Sequence, residues 1–78
     1  MKSIKHYMII LTDKGYVSDF ENGKYSFFVP SENFDLSFLY EKVVLFPYMN
    51  ELNQQVYKAE LLEQGCKEVC FLLKEFEV

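Results

Sequence analysis

The stretch T-D-K-G-Y-V-S-D-F-E-N-G-K-Y-S-F-F-V-P-S-E-N-F, residues 12–34, carries the strongest structural signals in the chain. At its centre lies Asn22-Gly23, with β-branched and aromatic residues on both sides. Both turn residues tolerate the positive φ of a tight hairpin, so this dipeptide between two such runs is a strong hairpin signal. The sequence therefore predicts a β-hairpin with arms over residues 16–20 and 25–29.

Alternation within the first arm predicts which side chains share a face. Tyr16, Ser18 and Phe20 are expected on one face, and Val17 and Asp19 on the other. A carboxylate on the Val17 face is costly unless it is paired. The alternative is a β-bulge near Asp19, which would reset the alternation. The sequence leaves both alternatives open.

Two further strands are predicted on either side of the hairpin. Residues 4–12, I-K-H-Y-M-I-I-L-T, form a run of β-formers that reads as a strand buried on much of both sides and ends at a turn. Residues 42–46, K-V-V-L-F, indicate a fourth strand that ends at Pro47, because proline cannot donate to the ladder. Residues 35–40 are expected to form a connection whose conformation the sequence does not determine, and residues 48–53 a polar loop.

The last quarter of the chain fits two interpretations. Residues 54–62 alternate like a strand, but Leu52, Val56 and Ala59 also have helical spacing. Residues 69–76 match an apolar helix stripe and would equally suit a buried strand. Periodicity alone does not separate these alternatives in short apolar runs, so both stay open.

Composition limits the classes of function. The chain has 78 residues, which predicts one domain over residues 1–78, and half of them are hydrophobic, enough for a core without a metal or disulfide. The net charge is −4, and all eight basic residues are lysines. Without arginine the chain lacks the planar donor best suited to phosphate and guanine, which disfavours tight duplex binding. Single-strand binding by lysines and stacked aromatics stays compatible with this composition.

No residue pattern indicates catalysis, a metal or a cofactor. Cys66 and Cys70 lie four residues apart, which matches neither a redox pair nor half of a zinc site, and we expect buried or half-buried free thiols. His6 is the only histidine in the sequence, and the carboxylates lack a nucleophile or histidine at a spacing that would converge. No stretch approaches the ~18 apolar residues of a membrane span. We therefore expect a cytoplasmic protein that is not an enzyme.

The predicted order of strands, with a meander of three at the start, is the outline of a five-stranded OB barrel. K-G-Y at residues 14–16 resembles the start of the first ribonucleoprotein motif of cold-shock domains. F-F-V-P-S-E-N-F at residues 27–34 resembles the second motif as it stands in the N-terminal cold-shock modules of the RNase R and RNase II exoribonucleases. K-V-V at residues 42–44 and A-E-L-L-E-Q-G at residues 59–65 resemble later parts of the same modules.

This resemblance implies a mainly β fold, a small antiparallel OB-type barrel with a C-terminal extra strand or short helix. In that family, bases of RNA or single-stranded DNA stack on aromatic rings and cations follow the backbone. The resemblance implies Tyr16 and Phe28 as stacking rings and Lys14 as a rim cation. Phe20, expected on the Tyr16 face, is a substitute ring, and Lys24 is a second candidate for phosphate contact.

Two functions follow. The first is non-catalytic binding of single-stranded nucleic acid, RNA preferred, weakened by ~1–3 kcal/mol for each of the two family rings absent near residues 10 and 18. The second is a protein-interaction or inhibitor module with an acidic surface. It would dock another protein or a second copy of itself through the aromatic face or an edge strand. Side-by-side exposure of Tyr16, Phe20 and Phe28 would favour binding of bases or a partner over a purely structural role.

Overall fold

A computed structural model describes residues 3–77 and arranges them as an antiparallel sheet with helical segments on both faces. The elements in chain order are β1 (Ile4–Thr12), β2 (Gly15–Glu21), β3 (Lys24–Phe28), a 3₁₀ turn (Leu36–Phe38), α1 (Leu39–Lys42), β4 (Phe46–Pro47), α2 (Glu51–Glu63) and β5 (Val69–Glu77). The predicted class, mainly β with five antiparallel strands, is confirmed.

β1 is the central strand of the sheet. β5 runs antiparallel to β1 and pairs with all nine of its residues, 4–12. β2 meets β1 at residues 11 and 12, and β4 meets it at residues 7 and 8. Because a strand has two edges, β2 and β4 follow one another along the edge opposite β5. β3 extends the sheet beyond β2, and since β3 does not pair with β5, the sheet is open and not closed into a barrel.

The β2–β3 hairpin forms as predicted. Asn22 has a φ of 54° and Gly23 a φ of 76°, the two positive values that a primed two-residue turn requires. The pairing register shifts between Val17 and Asp19, which makes the bulge the correct alternative. The Asp19 carboxylate is therefore exposed, and it accepts a hydrogen bond from the Phe20 N–H at 2.8 Å.

The fourth strand predicted over residues 42–46 is wrong in extent. Residues 39–42 form the short helix α1, and strand pairing is limited to Phe46 and Pro47. Leu39 and Val43, four residues apart, pack together against Ile9. Residues at this spacing lie on the same face of a helix, which favours a helical turn in this segment. Pro47, opposite Tyr7, is the last residue of β4, so the strand ends at this proline as predicted.

The two ambiguous C-terminal segments take opposite conformations. Residues 51–63 form α2, so the strand interpretation of residues 54–62 is wrong. The loop predicted over residues 48–53 is confirmed for residues 48–50 and wrong for residues 51–53. The Asn50 side chain caps α2 by accepting a hydrogen bond from the Asn53 N–H at 2.9 Å. Residues 69–77 form β5, which supplies the fifth strand and settles the C-terminal alternatives in favour of a strand.

Apolar residues of β1 are buried on both faces of the sheet, as predicted. On one face, Ile10 packs in a cluster with Leu61 of α2, and both side chains are fully buried. On the other face, Ile9 packs with Leu39 and Val43 beside α1. Burial of each such side chain contributes about 1.5–3 kcal/mol. We call these two sides of the sheet the α2 face and the α1 face.

Candidate functional site

The three rings predicted to stack bases do not share one surface. Tyr16 lies directly opposite Phe28, and both are half-buried against the cluster on the α1 face. Phe20 lies opposite Tyr25, whose ring belongs to the core on the α2 face, and these two ring centroids are 4.6 Å apart. The expectation that Phe20 shares the Tyr16 face is wrong because the bulge after Val17 reverses the alternation.

The two lysines predicted to contact phosphate are exposed near the C-terminal end of α2. The Lys14 ammonium donates to the Gln64 carbonyl, with 3.4 Å between Nζ and O. Lys24 lines a shallow surface depression that it shares with Glu60 and Glu63. The two carboxylates oppose the binding of a phosphate beside Lys24, because a phosphate and a carboxylate carry the same sign of charge.

A groove of about 300 Å³ separates the β2–β3 hairpin from α2. Its apolar rim includes Phe20, which is 52% exposed, and Val56, which is 54% exposed. At its floor the Tyr25 hydroxyl donates a hydrogen bond to the Glu60 carboxylate. Burial, together with this hydrogen bond, raises the pKa of Tyr25. The groove is therefore apolar with an acidic end, which does not match the cationic channel of a single-strand binder.

The outer edge of β3 is covered by a side chain. Gln64 Oε1 accepts a hydrogen bond from the Tyr25 N–H, and Gln64 Nε2 donates one to the Tyr25 carbonyl, each at 2.8 Å. The amide thus makes the two bonds that a neighbouring strand would make at this position. Gln64 is itself fixed at the end of α2, where its N–H bonds the Glu60 carbonyl at 3.0 Å. Covering of this kind protects a sheet edge from pairing with another chain.

The outer edge of β5 has no such cover, since no strand among residues 3–77 pairs with that side of it. The Asp13 N–H donates to the Glu68 carbonyl at 3.2 Å, which shows that residue 68 faces β1. Because backbone groups alternate along a strand, residues 69, 71, 73 and 75 direct their N–H and C=O groups outward. Leu72 and Leu73, at the middle of the strand, are 42% and 52% exposed.

Charged residues flank the apolar centre of β5. The Asp13 carboxylate accepts hydrogen bonds from the N–H groups of Lys67 at 2.8 Å and Glu68 at 3.2 Å, which orders the segment before the strand. On the far side, the Lys74 ammonium lies 5.1 Å from the centroid of the Tyr40 ring. Glu75 follows, with its Oε1 3.2 Å from Nε2 of His6. Contacts with α1 and β1 thus position the Lys74 and Glu75 side chains, and the first turn positions the backbone of residues 67 and 68.

Cys66 is buried and Cys70 is exposed, and both are free thiols. The expectation of burial is wrong for Cys70 because it lies on an edge strand whose α1 face is uncovered at that point. Across residues 3–77, no three side chains among His, Cys, Asp and Glu converge as metal ligands. Neither helix in the same range is long and apolar enough to cross a membrane.

Comparison with protein-family models, with curated proteins and with solved structures finds no match for this chain. The resemblance to cold-shock modules therefore stays a prediction. The open sheet differs from the closed barrel that the resemblance implies. The groove and the edge of β5 are the two exposed apolar surfaces described above.

Proposed function

We propose that this chain is a non-catalytic protein-interaction module that adds a β-strand of a partner protein to the outer edge of β5. The observation that carries the proposal is the contrast between the two edges of the sheet. Gln64 covers the edge of β3, whereas the edge of β5 presents outward N–H and C=O groups beside exposed Leu72 and Leu73. Strand addition of this kind derives affinity from main-chain hydrogen bonds and specificity from alternate side chains.

Binding of single-stranded nucleic acid is the other function that the sequence predicts. A stacking platform needs several rings on one surface and a cationic groove along the backbone. Here Phe20 lies on the opposite face from Tyr16 and Phe28, and Lys24 lies beside two carboxylates. These placements, with the net charge of −4, favour a protein partner over RNA or single-stranded DNA.

A fluorescence titration separates the two functions. We expect the tyrosine fluorescence of the protein to stay constant when oligopyrimidine is added at low salt. Quenching that saturates and weakens steeply with added salt would instead support nucleic-acid binding, because phosphate contacts release counterions.

The proposed site is tested with a soluble strand-forming probe, a peptide of alternating valine and threonine with a lysine at each end. We expect residue-resolved amide shifts to change at residues 69, 71 and 73 on titration, with the amides of β3 unchanged. Shift changes confined to the groove around Phe20 and Val56, or none at all, would overturn the site.

The variant Leu73→Pro tests the same edge by removing one of its outward N–H groups. Proline at residue 73 removes an outward N–H without removing a hydrogen bond to β1, and edge strands tolerate proline in such positions. We expect the variant to keep the circular-dichroism spectrum of the wild type and to lose the response to the peptide.

A further inference from the structure

Resting on the proposed function, we infer that the partner strand is β5 of a second copy of this chain, paired antiparallel about a two-fold axis through Phe71. The segment K-E-V-C-F-L-L-K-E, residues 67–75, has charged and apolar positions arranged symmetrically about its central residue, Phe71. Two charged residues precede five apolar residues, and two charged residues follow with the order of their signs preserved. An antiparallel partner therefore meets each charge with the opposite charge.

The register about Phe71 matches every side chain of this segment with a favourable neighbour. The opposed pairs are Phe71 with Phe71, Cys70 with Leu72, Val69 with Leu73, Glu68 with Lys74, and Lys67 with Glu75. Each apolar side chain faces an apolar one, and each carboxylate faces an ammonium group. Cross-strand pairs of both kinds stabilise an antiparallel ladder.

The backbone of β5 is oriented for this register. Residues 69, 71 and 73 direct their N–H and C=O groups outward, and in this register they lie opposite residues 73, 71 and 69 of the other copy. A two-fold axis normal to the sheet keeps each side chain on its own face. Leu72 is then covered by Cys70 on the α1 face, and Leu73 by Val69 on the α2 face.

Shifting the centre of the pairing by one residue in either direction places charged residues opposite apolar ones. A centre at Leu72 places Val69 opposite Glu75 and Glu68 opposite Phe76, and a centre at Cys70 places Glu68 opposite Leu72. Parallel in-register stacking, the arrangement of many fibrils, would stack each charge on its own copy. Like charges in direct opposition are destabilising. The charge pattern thus favours one symmetric antiparallel pair.

The pair leaves no β5 edge free for a third copy. Two sheets joined at β5 form one continuous sheet whose remaining edges are β3 and the two-residue strand β4 of each chain. Each β3 is covered at Tyr25 by the Gln64 amide of its own chain. An interface that uses the same patch on both subunits forms a two-fold dimer and leaves no patch for a third copy.

Sedimentation equilibrium of the full chain and three variants tests the register. We expect a dimer for the wild type and an approximately tenfold weaker dimer for Glu68→Lys or for Lys74→Glu, since symmetry places each reversal in two pairs. The double variant Glu68→Lys with Lys74→Glu restores both pairs and should return the dissociation constant close to that of the wild type. Lys58→Glu, an exposed reversal on α2, is the control and should leave it unchanged.

A cross-link tests the same register independently of charge. Leu72→Cys places a thiol opposite Cys70 of the other copy in a pair without backbone hydrogen bonds, whose Cα separation of about 4.5 Å permits a disulfide. Two protein thiols are oxidised to one disulfide, and one oxidised glutathione takes up the two electrons and two protons to become two glutathione thiols. We expect a covalent dimer on a non-reducing gel for Leu72→Cys and a monomer for Leu73→Cys, whose thiol lies on the other face.

The outcomes separate this inference from the proposed function. A folded wild type that stays monomeric while its β5 amides respond to the valine-threonine peptide overturns the second copy but supports the edge as a binding site. A monomer whose β5 amides do not respond overturns both. A dimer that the double variant fails to restore, and that Leu72→Cys fails to cross-link, overturns the register about Phe71.

Discussion

At the level of single residues, Gly15 and Gly23 both have a positive φ but differ in the space around them. Gly15 has a φ of 124°, and a Cβ there would lie 2.7 Å from the Phe28 carbonyl oxygen. Gly23 has a φ of 76° with nothing within 4 Å of such a Cβ. We expect Gly15→Ala to lower the free energy of unfolding by about 2–4 kcal/mol and Gly23→Ala by about 1 kcal/mol. Urea denaturation measures both, and equal losses would contradict the close approach of β3 to Gly15.

Asp13 links stability to pH at the same scale. Its hydrogen bonds from the N–H groups of Glu68 and Lys67 hold its pKa below the ordinary value of 3.8. Since the folded pKa is the lower one, the carboxylate stabilises the fold above about pH 4, and this contribution is lost as the pH falls through the folded value.

The corresponding measurement is the urea midpoint of wild type and Asp13→Asn between neutral and acidic pH. We expect the variant to be less stable at neutral pH and the difference to shrink below about pH 4. Asp19→Asn, which leaves the contact with residues 67 and 68 intact, is the matched control. A difference between wild type and Asp13→Asn that is constant across the whole pH range would contradict this role.

At the scale of elements, Gln64 determines which edge of the sheet is closed. Gln64→Ala removes both hydrogen bonds to the Tyr25 backbone, and we expect it to lower the free energy of unfolding by about 1–3 kcal/mol. It also opens the edge of β3, so the variant should form species larger than a dimer at high concentration. Gln55→Ala, at an exposed position of the same helix, should do neither. Equal behaviour of the two variants would contradict the covering role.

The elements that local chemistry specifies are those that the sequence predicts correctly. The Asn22-Gly23 turn needs no tertiary context, and residues 4–12 are rich enough in β-formers to identify β1. Residues 42–46 and 54–62 are short apolar runs whose conformation depends on what they pack against, Ile9 for the first and the α2-face core for the second. Asn50 was a usable helix-start signal, because a capping asparagine precedes the first turn of α2.

The site was less accessible from the sequence than the fold. An exposed edge strand is one of the predicted docking modes, but identifying the edge requires knowing that residues 69–77 form a strand beside β1. The symmetric arrangement of charged and apolar residues at positions 67–75 is visible in the sequence. It indicates pairing with a second copy only if this segment is a strand with a free edge. Alternation alone places Phe20 on the wrong face, because a single inserted residue, Ser18, reverses the side-chain alternation in the rest of β2.

At the scale of the whole molecule, the outer edge of β3 is covered at Tyr25, whereas no strand among residues 3–77 pairs with the outer edge of β5. We propose that the edge of β5 accepts one strand, whereas the cover at Tyr25 disfavours pairing at the edge of β3. Pairing of two copies would place β1 and β5 of each chain at the centre of the joined sheet. The exposed leucines of β5 then become interior positions, which accounts for apolar side chains on an otherwise acidic surface.

The most direct test of this account is residue-resolved amide hydrogen exchange of the wild type at low and at high protein concentration. The amides of residues 70, 72 and 74 face β1 and should exchange slowly at both concentrations. The amides of residues 69, 71 and 73 should exchange rapidly in the dilute sample and slowly in the concentrated one, as they gain partners on the second copy. Rapid exchange of these three amides at every concentration, in a protein that is otherwise protected, would contradict the account.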